Sequence, residues 1–241
     1  MRIEPDSFDV VFLDAAGTLF EVRGSVGEIY SSVARRYGVI AAPEELQQAF
    51  IEAFRRKSLG GIPRGGGENR VIHEKGWWLE IVKEVFAGRM PADTLLRYFE
   101  DVFEIFRGAD AWRLFPDTRT SLERLSAGGY RLGIISNFDS RLRDLLDNLG
   151  IGSLFEHVAL SWCLGAAKPD ARIFRGALEA MNVPAERALH VGDSLHEDVA
   201  GAEAAGLCAV LMDRRNVHPD WTRSWRIRSL SELCDDLHAG G

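Results

Sequence analysis

Cysteine is scarce in this 241-residue chain. Cys163, Cys208 and Cys234 are odd in number and none lies close to another, which argues against a disulfide framework and against a thiolate metal site. Basic excess is missing too: 29 Lys and Arg face 36 Asp and Glu, a net charge of -7, which argues against a general binder of nucleic acid or of anionic membranes. No apolar run approaches the ~20 residues that span a bilayer. Acidic Glu4 and Asp6 stand where a signal peptide would begin its apolar stretch. The expectation is a cytoplasmic protein with neither a membrane nor a nucleic-acid partner. No internal repeat of solenoid period is present. What the chain does have is 46% hydrophobic and 10% aromatic residues, enough to bury a core. Its length is long for one domain and short for two, so one core with a large insertion is expected.

The hydrophobic pattern divides the chain in the same way. Val10-Val11-Phe12-Leu13 is a short continuous apolar run, the mark of a central parallel strand buried on both faces, and it runs into Asp14. Small residues and Gly17 then let the chain turn sharply. The next ~90 residues read as helix throughout. Val26, Ile29, Tyr30, Val33 and Tyr37 line one face, and Leu46, Phe50 and Phe54 a second, opened by Pro43. Trp78, Ile81, Val82, Val85 and Phe86 form a third, and Leu95, Phe99, Val102, Phe103 and Phe106 a fourth. Four amphipathic helices with no intervening strand predict a small bundle, divided by the glycine-rich stretch 60–67. Beyond Pro116, strands at 132–135, 157–160, 188–191 and 209–212 alternate with helices at 118–125, 139–149, 171–181 and 197–205. That alternation predicts a parallel sheet with right-handed crossovers. The predicted fold is therefore α/β: residues 1–20 and 112–241 form a Rossmann-like core, and residues 21–111 an inserted α-helical bundle.

Ligands of an open parallel sheet bind at the carboxyl ends of its strands. The first strand offers Asp14 there, and the second Ser136 and Asn137. The loop after the third offers Lys168, and the fourth Asp193, with Asp198 one helical turn further on. Three carboxylates near one point repel unless a cation joins them. Oxygen donors suit a hard ion such as Mg²⁺. A lysine and a hydroxyl beside that ion suit an anionic group, phosphate above all. A carboxylate that also serves as nucleophile can form a covalent acyl phosphate. Only four lysines stand against 25 arginines, which adds weight to a lysine at this loop.

These residues resemble the haloacid dehalogenase superfamily of hydrolases. Its four motifs occur in order: Asp14-Ala15-Ala16-Gly17-Thr18-Leu19, Ile134-Ile135-Ser136-Asn137, Lys168-Pro169, and Gly192-Asp193 with Asp198. The helical insertion sits where that family carries a C1-type α-helical cap. Two further stretches, Gly76 to Val82 and Ile135 to Leu142, resemble one branch of the superfamily. The resemblance implies Asp14 as nucleophile, Ser136 and Asn137 as holders of phosphoryl oxygens, and Lys168 as the cation that offsets Asp14 and the phosphate. It implies Mg²⁺ bound by Asp14, the backbone carbonyl of Ala16 and Asp193, with Asp198 ordering the metal shell. The implied partner is a small phosphorylated metabolite, handled by a monomer or homodimer.

One position departs from the pattern. Phosphatases of this family carry a second aspartate two residues after the nucleophile, which protonates the leaving group and then activates water; here it is Ala16. General acid–base catalysis is typically worth ~10²–10⁴-fold. The expected enzyme is thus a Mg²⁺-dependent phosphatase of low or specialised activity, better on acyl or aryl phosphates than on alkoxides. Three alternatives stay open. Haloacid dehalogenases need no acid there, because halide leaves unprotonated. Phosphonoacetaldehyde hydrolases carry alanine there and a cap lysine, for which Lys57 stands in position. A non-catalytic metal- and phosphate-binding module is the third. Among other residues, His196 is expected to be solvated and His190 to belong to the core. The run from Arg214 to Arg228, with Trp221 and Trp225, is expected to pack on that core.

Overall fold

A computed structural model describes residues 7–59 and 70–238. The glycine-rich stretch 60–67 and the first six residues lie outside them. Along the chain come β1 (Val10–Leu13) and β2 (Phe20–Val22), then four helices: α1 (Val26–Arg36), α2 (Pro43–Leu59), α3 (Arg70–Val85) and α4 (Ala92–Arg107). There follow β3 (Trp112–Leu114), α5 (Thr118–Ala127), β4 (Arg131–Ser136), α6 (Arg141–Asn148), β5 (His157–Leu160), α7 (Ser161–Leu164) and α8 (Ala171–Ala180). The chain ends with β6 (Ala188–Gly192), α9 (Gly201–Ala204), β7 (Cys208–Met212), β8 (Trp225–Ile227) and α10 (Leu230–His238). Two compact units result: Met1–Glu21 with Leu114–Gly241, and Val22–Arg113. The boundaries fall one and two residues later than expected from sequence. At both crossings the chain is a strand, β2 outward and β3 back, and these two pair with each other. Three-residue strands are too short to show in a hydrophobic pattern.

The first unit is a six-stranded parallel sheet in the order β5-β4-β1-β6-β7-β8. All four residues of β1 are fully buried, as a strand covered on both faces must be. It pairs with β4 (Leu13 beside Ile134) and with β6 (Leu13 beside Val191). The strand order reverses at β1. From there the chain builds outward to β4 and β5, then returns to lay β6 on the other side, so the crevice at the carboxyl end of β1 is the topological switch point of the sheet. The sixth strand, β8, lies within the Arg and Trp run. Arg226 in it binds Asp213, and Trp221 packs against the core. No described helix is long and apolar enough to cross a membrane.

The second unit is the predicted bundle. Ser25 and Glu28 close a capping box at the start of α1, satisfying two backbone N–H groups that the helix leaves unpaired. The predicted stripes converge on Tyr30. Its ring centroid lies 5.9 Å from that of Phe50, 6.0 Å from Phe86, and 6.2 Å from both Tyr98 and Phe106. Each such pair adds about 0.5–1.5 kcal/mol beyond area burial. Lys57 lies on α2.

Candidate active site

The three carboxylates expected to converge do so at the switch point. Asp14, Asp193 and Asp198 each place an oxygen within 4.8 Å of the others. Lys168 reaches the same place from the loop before α8. Its Nζ donates to Asp14 Oδ1 at 2.6 Å and to Asp198 Oδ1 at 2.5 Å, and all three side chains are buried. Ser136 closes β4 beside them and is likewise buried.

The chain reaches this geometry by giving up side chains where carboxylates must pass. Gly17 has φ +91, and a Cβ there would lie 2.3 Å from Asp193 Oδ2. A Cβ on Gly192 would lie 2.1 Å from the Asp198 carboxyl carbon. Ser194 caps the following turn, its Oγ accepting from Glu197 N at 3.1 Å. That turn, Leu195–Ala200, is π-helical rather than the start of the α-helix expected from residue 197. Such widened turns recur at functional sites. Ala16 is exposed, and its methyl group can neither give nor take a proton.

Sequence reasoning missed two residues. His190 was expected in the core, and it is buried there; yet its Nε2 lies 2.8 Å from Asp198 Oδ1. Alternation along β6 puts His190 and Gly192 on one face, directly under Asp198. The second is Glu197, which accepts from Asn137 Nδ2 at 3.0 Å. The same Asn137 amide donates to Lys168 O at 3.1 Å, and its oxygen accepts from Lys168 N at 2.8 Å. The Asn137 side chain thus ties the lysine loop and Glu197 to the end of β4. His196 is exposed.

Electrostatics follow from burial and crowding. Burial pushes the Asp14 carboxyl above its usual range, against the pull of Lys168 and with the Asp198 charge adding to the rise. Burial would lower Lys168, but Asp14 and Asp198 overcome it and hold the ammonium charged. Burial likewise acts upward on Asp198. The Lys168 charge and the His190 and Lys168 hydrogen bonds outweigh it and keep this carboxylate ionised. Burial holds His190 neutral, so its Nε2 carries the proton given to Asp198, while its Nδ1 is buried without a hydrogen-bond partner. Asp193 is pushed up to about 7 by burial and by the charges of Asp14 and Asp198. Its outer edge is exposed, which weakens the first cause and leaves the neighbouring carboxylates as the durable one.

One ammonium thus faces three carboxylates. An all-oxygen donor set with excess negative charge, cleared of obstruction by Gly17, fits a hard divalent cation such as Mg²⁺.

Comparison with known proteins identifies the family. Residues 8–206 match the family described as haloacid dehalogenase-like hydrolase. The chain is 35% identical to the mouse haloacid dehalogenase-like hydrolase domain-containing protein 3 over 205 residues, covering 83% of this chain and 79% of that one. Among solved structures it is similar to a HAD phosphatase from Thermococcus onnurineus, at 26% identity and TM-score 0.68, covering 96% of this chain and 98% of that one. A defluorinating L-2-haloacid dehalogenase shares the fold, with TM-score 0.77 at 18% identity over 95% of each chain. With its four motifs meeting at one switch point, this chain belongs to the haloacid dehalogenase-like hydrolases.

Proposed function

We propose that this hydrolase is a Mg²⁺-dependent phosphatase acting on a small phosphorylated metabolite through a covalent phosphoaspartate at Asp14. The observation that carries the reading is the buried ion pair of Asp14 with Lys168, set between Asp193 and Asp198. Asp14, Asp193 and the Ala16 carbonyl would hold the cation, with Asp198 ordering the shell. Bound there, Mg²⁺ would neutralise phosphoryl oxygens and offset charge developing in transfer.

The chain's own residues account for the rest. One Asp14 oxygen attacks phosphorus, and the bond from phosphorus to the leaving oxygen breaks. Lys168 holds Asp14 in place and stabilises charge on the phosphoryl oxygens, with the Ser136 hydroxyl as a further donor. Ala16 gives the departing oxygen no proton, so that oxygen leaves as an anion or takes its proton from solvent. Water then attacks phosphorus, the bond from phosphorus to the Asp14 oxygen breaks, the water's proton passes to solvent, and free Asp14 and inorganic phosphate result. No side chain at position 16 activates that water, so this second step is the slow one. Aryl and acyl phosphates, whose leaving groups are stable anions, are the favoured substrate class.

Ala16 is also what favours a second reading, a 2-haloacid dehalogenase, because halide departs without a proton. The Asp193 and Asp198 pair counts against it, since the ester step of a dehalogenase needs no cation site.

The test is p-nitrophenyl phosphate turnover with Mg²⁺ or EDTA, for wild-type protein and Asp14→Asn, with intact mass alongside. Turnover lost to both EDTA and the variant supports the phosphatase. An adduct of ~80 Da that builds up on wild-type protein supports the first half-reaction with a stalled second. Neither turnover nor adduct, with chloride released from 2-chloropropionate without metal, overturns it in favour of the dehalogenase.

A further inference from the structure

We propose that Arg214 is a positioning residue for the turn that carries the nucleophile. No motif contains it, and it lies 196 residues from the atom it grips. Its Nε and Nη2 donate to the Thr18 carbonyl at 3.1 and 2.7 Å. Its Nη1 donates to the Asp117 carboxylate at 2.9 and 3.2 Å. Its guanidinium carbon lies over the Phe115 ring, 3.9 Å from the centroid. Arg214 and Asp117 are both largely buried. Asp117 is itself held from behind by Leu230 N, 2.6 Å away at the start of α10.

The turn needs such a fastening. Residues 15–18 leave β1 with no ladder to follow. Inside the turn, Leu19 N and Thr18 N both converge on the Ala15 carbonyl, at 2.8 and 3.3 Å, and Gly17 N bonds Phe20 O at 2.8 Å. Upstream, Asp14 is held by the sheet, its N–H bonded to Val191 O. Downstream, the Leu19 carbonyl accepts from Thr118 Oγ1 at 2.7 Å and from Phe115 N at 3.1 Å. The Thr18 side-chain hydroxyl is buried with no partner. Arg214 therefore supplies the hold on Thr18 through its backbone carbonyl. The Ala16 carbonyl sits midway between the two anchored ends, so its aim depends on both. Only a planar fork can bind a carbonyl twice and a carboxylate at once; lysine has the charge without the geometry.

This inference deepens the phosphatase reading and rests on it for its metal consequence. The experiment compares wild-type protein with Arg214→Lys and Arg214→Gln, and with Arg226→Gln, which breaks a different ion pair away from the turn. Hydrogen exchange is followed in the metal-free proteins over residues 14–20, and Mg²⁺ is titrated calorimetrically. Both Arg214 variants are expected to speed exchange in that segment selectively. Both are expected to weaken Mg²⁺ binding about ten- to hundredfold, the usual effect of losing a group that orients a metal ligand. Arg226→Gln is expected to lower the melting temperature with neither change. If Arg214→Gln fails to fold, Arg214→Lys carries the test. Arg214 variants that lose stability yet match Arg226→Gln in exchange and Mg²⁺ affinity overturn the proposal. Selective exchange in a protein whose wild type binds no Mg²⁺ upholds the clasp and defeats the metal reading instead.

Discussion

The ammonium of Lys168 lies 2.6 Å from an oxygen of Asp14, and both groups are buried beneath the carboxyl end of β1. Each charge is tolerable only because of the other. Replacing Lys168 by methionine keeps the volume and removes the charge, leaving Asp14 and Asp198 to face each other. Breaking a buried pair this way costs about 3–5 kcal/mol. Urea denaturation is expected to show that loss together with abolished phosphatase activity. A Lys168→Met protein of wild-type stability would contradict the buried charge balance described above.

Ala16 is exposed, so an aspartate fits there without repacking. Ala16→Asp is expected to leave the melting temperature nearly unchanged. It is expected to raise kcat/KM, which reports the first half-reaction, on alkyl phosphates more than on p-nitrophenyl phosphate, by up to ~10²–10⁴-fold, the range of general acid–base catalysis. Equal effects on both substrates would show that leaving-group protonation is not what the native chain lacks.

Gly17 is required twice over, by its positive φ and by the Asp193 oxygen that a Cβ would strike. Gly17→Ala is expected to cost at least ~1 kcal/mol from backbone strain alone and to displace Asp193. Loss of Mg²⁺-dependent thermal stabilisation in this variant, with the fold retained by circular dichroism, is the expected result.

Burial and the neighbouring Asp14 and Asp198 carboxylates push the Asp193 carboxyl upward, so it holds a proton more readily than a free aspartate. A cation must displace that proton. Mg²⁺ titration at pH 7 is expected to release protons, read as a binding heat that depends on the buffer's ionisation enthalpy. Asp193→Asn is expected to bind Mg²⁺ weakly and without proton release.

Asp213, at the carboxyl end of β7, shows what a strand-end carboxylate does when it is structural. It accepts from Val217 N at 2.8 Å, His218 N at 3.0 Å and Arg226 Nη1 at 2.8 Å. Burial acts to raise its carboxyl, but the Arg226 and backbone hydrogen bonds prevail and hold it below the usual range. A depressed native pKa adds stability that is complete above the unfolded value of ~3.9 and is lost as pH falls through the folded value. Wild-type protein is therefore expected to lose stability below about pH 4 by an amount that Asp213→Asn does not show. At pH 7 that variant is expected to be weaker by about 1.5–3 kcal/mol, the worth of a hydrogen bond to a charged group. Parallel acid-denaturation curves for the two proteins would refute this.

The sequence by itself determined the local structure and the identity of the reactive groups. The run Val10–Leu13 is apolar at every position because both of its faces are covered. The four bundle helices declare themselves by apolar residues every three to four positions, and the motif residues stand just where those patterns stop. All of this is carried by neighbours in the chain, so it is legible along it. Tertiary structure alone decided which partner each of these groups takes. The strand order 5-4-1-6-7-8 brings Asp14, Lys168 and Asp198 within hydrogen-bonding reach, although 154 residues separate the first two. Asn137 is turned to the lysine loop, His190 to Asp198 and Arg214 to the Thr18 carbonyl by contacts that leave no periodic trace. A hydrogen bond across the fold constrains one donor and one acceptor far apart in sequence, whereas hydrophobic burial constrains every turn of a helix and every second residue of a half-covered strand.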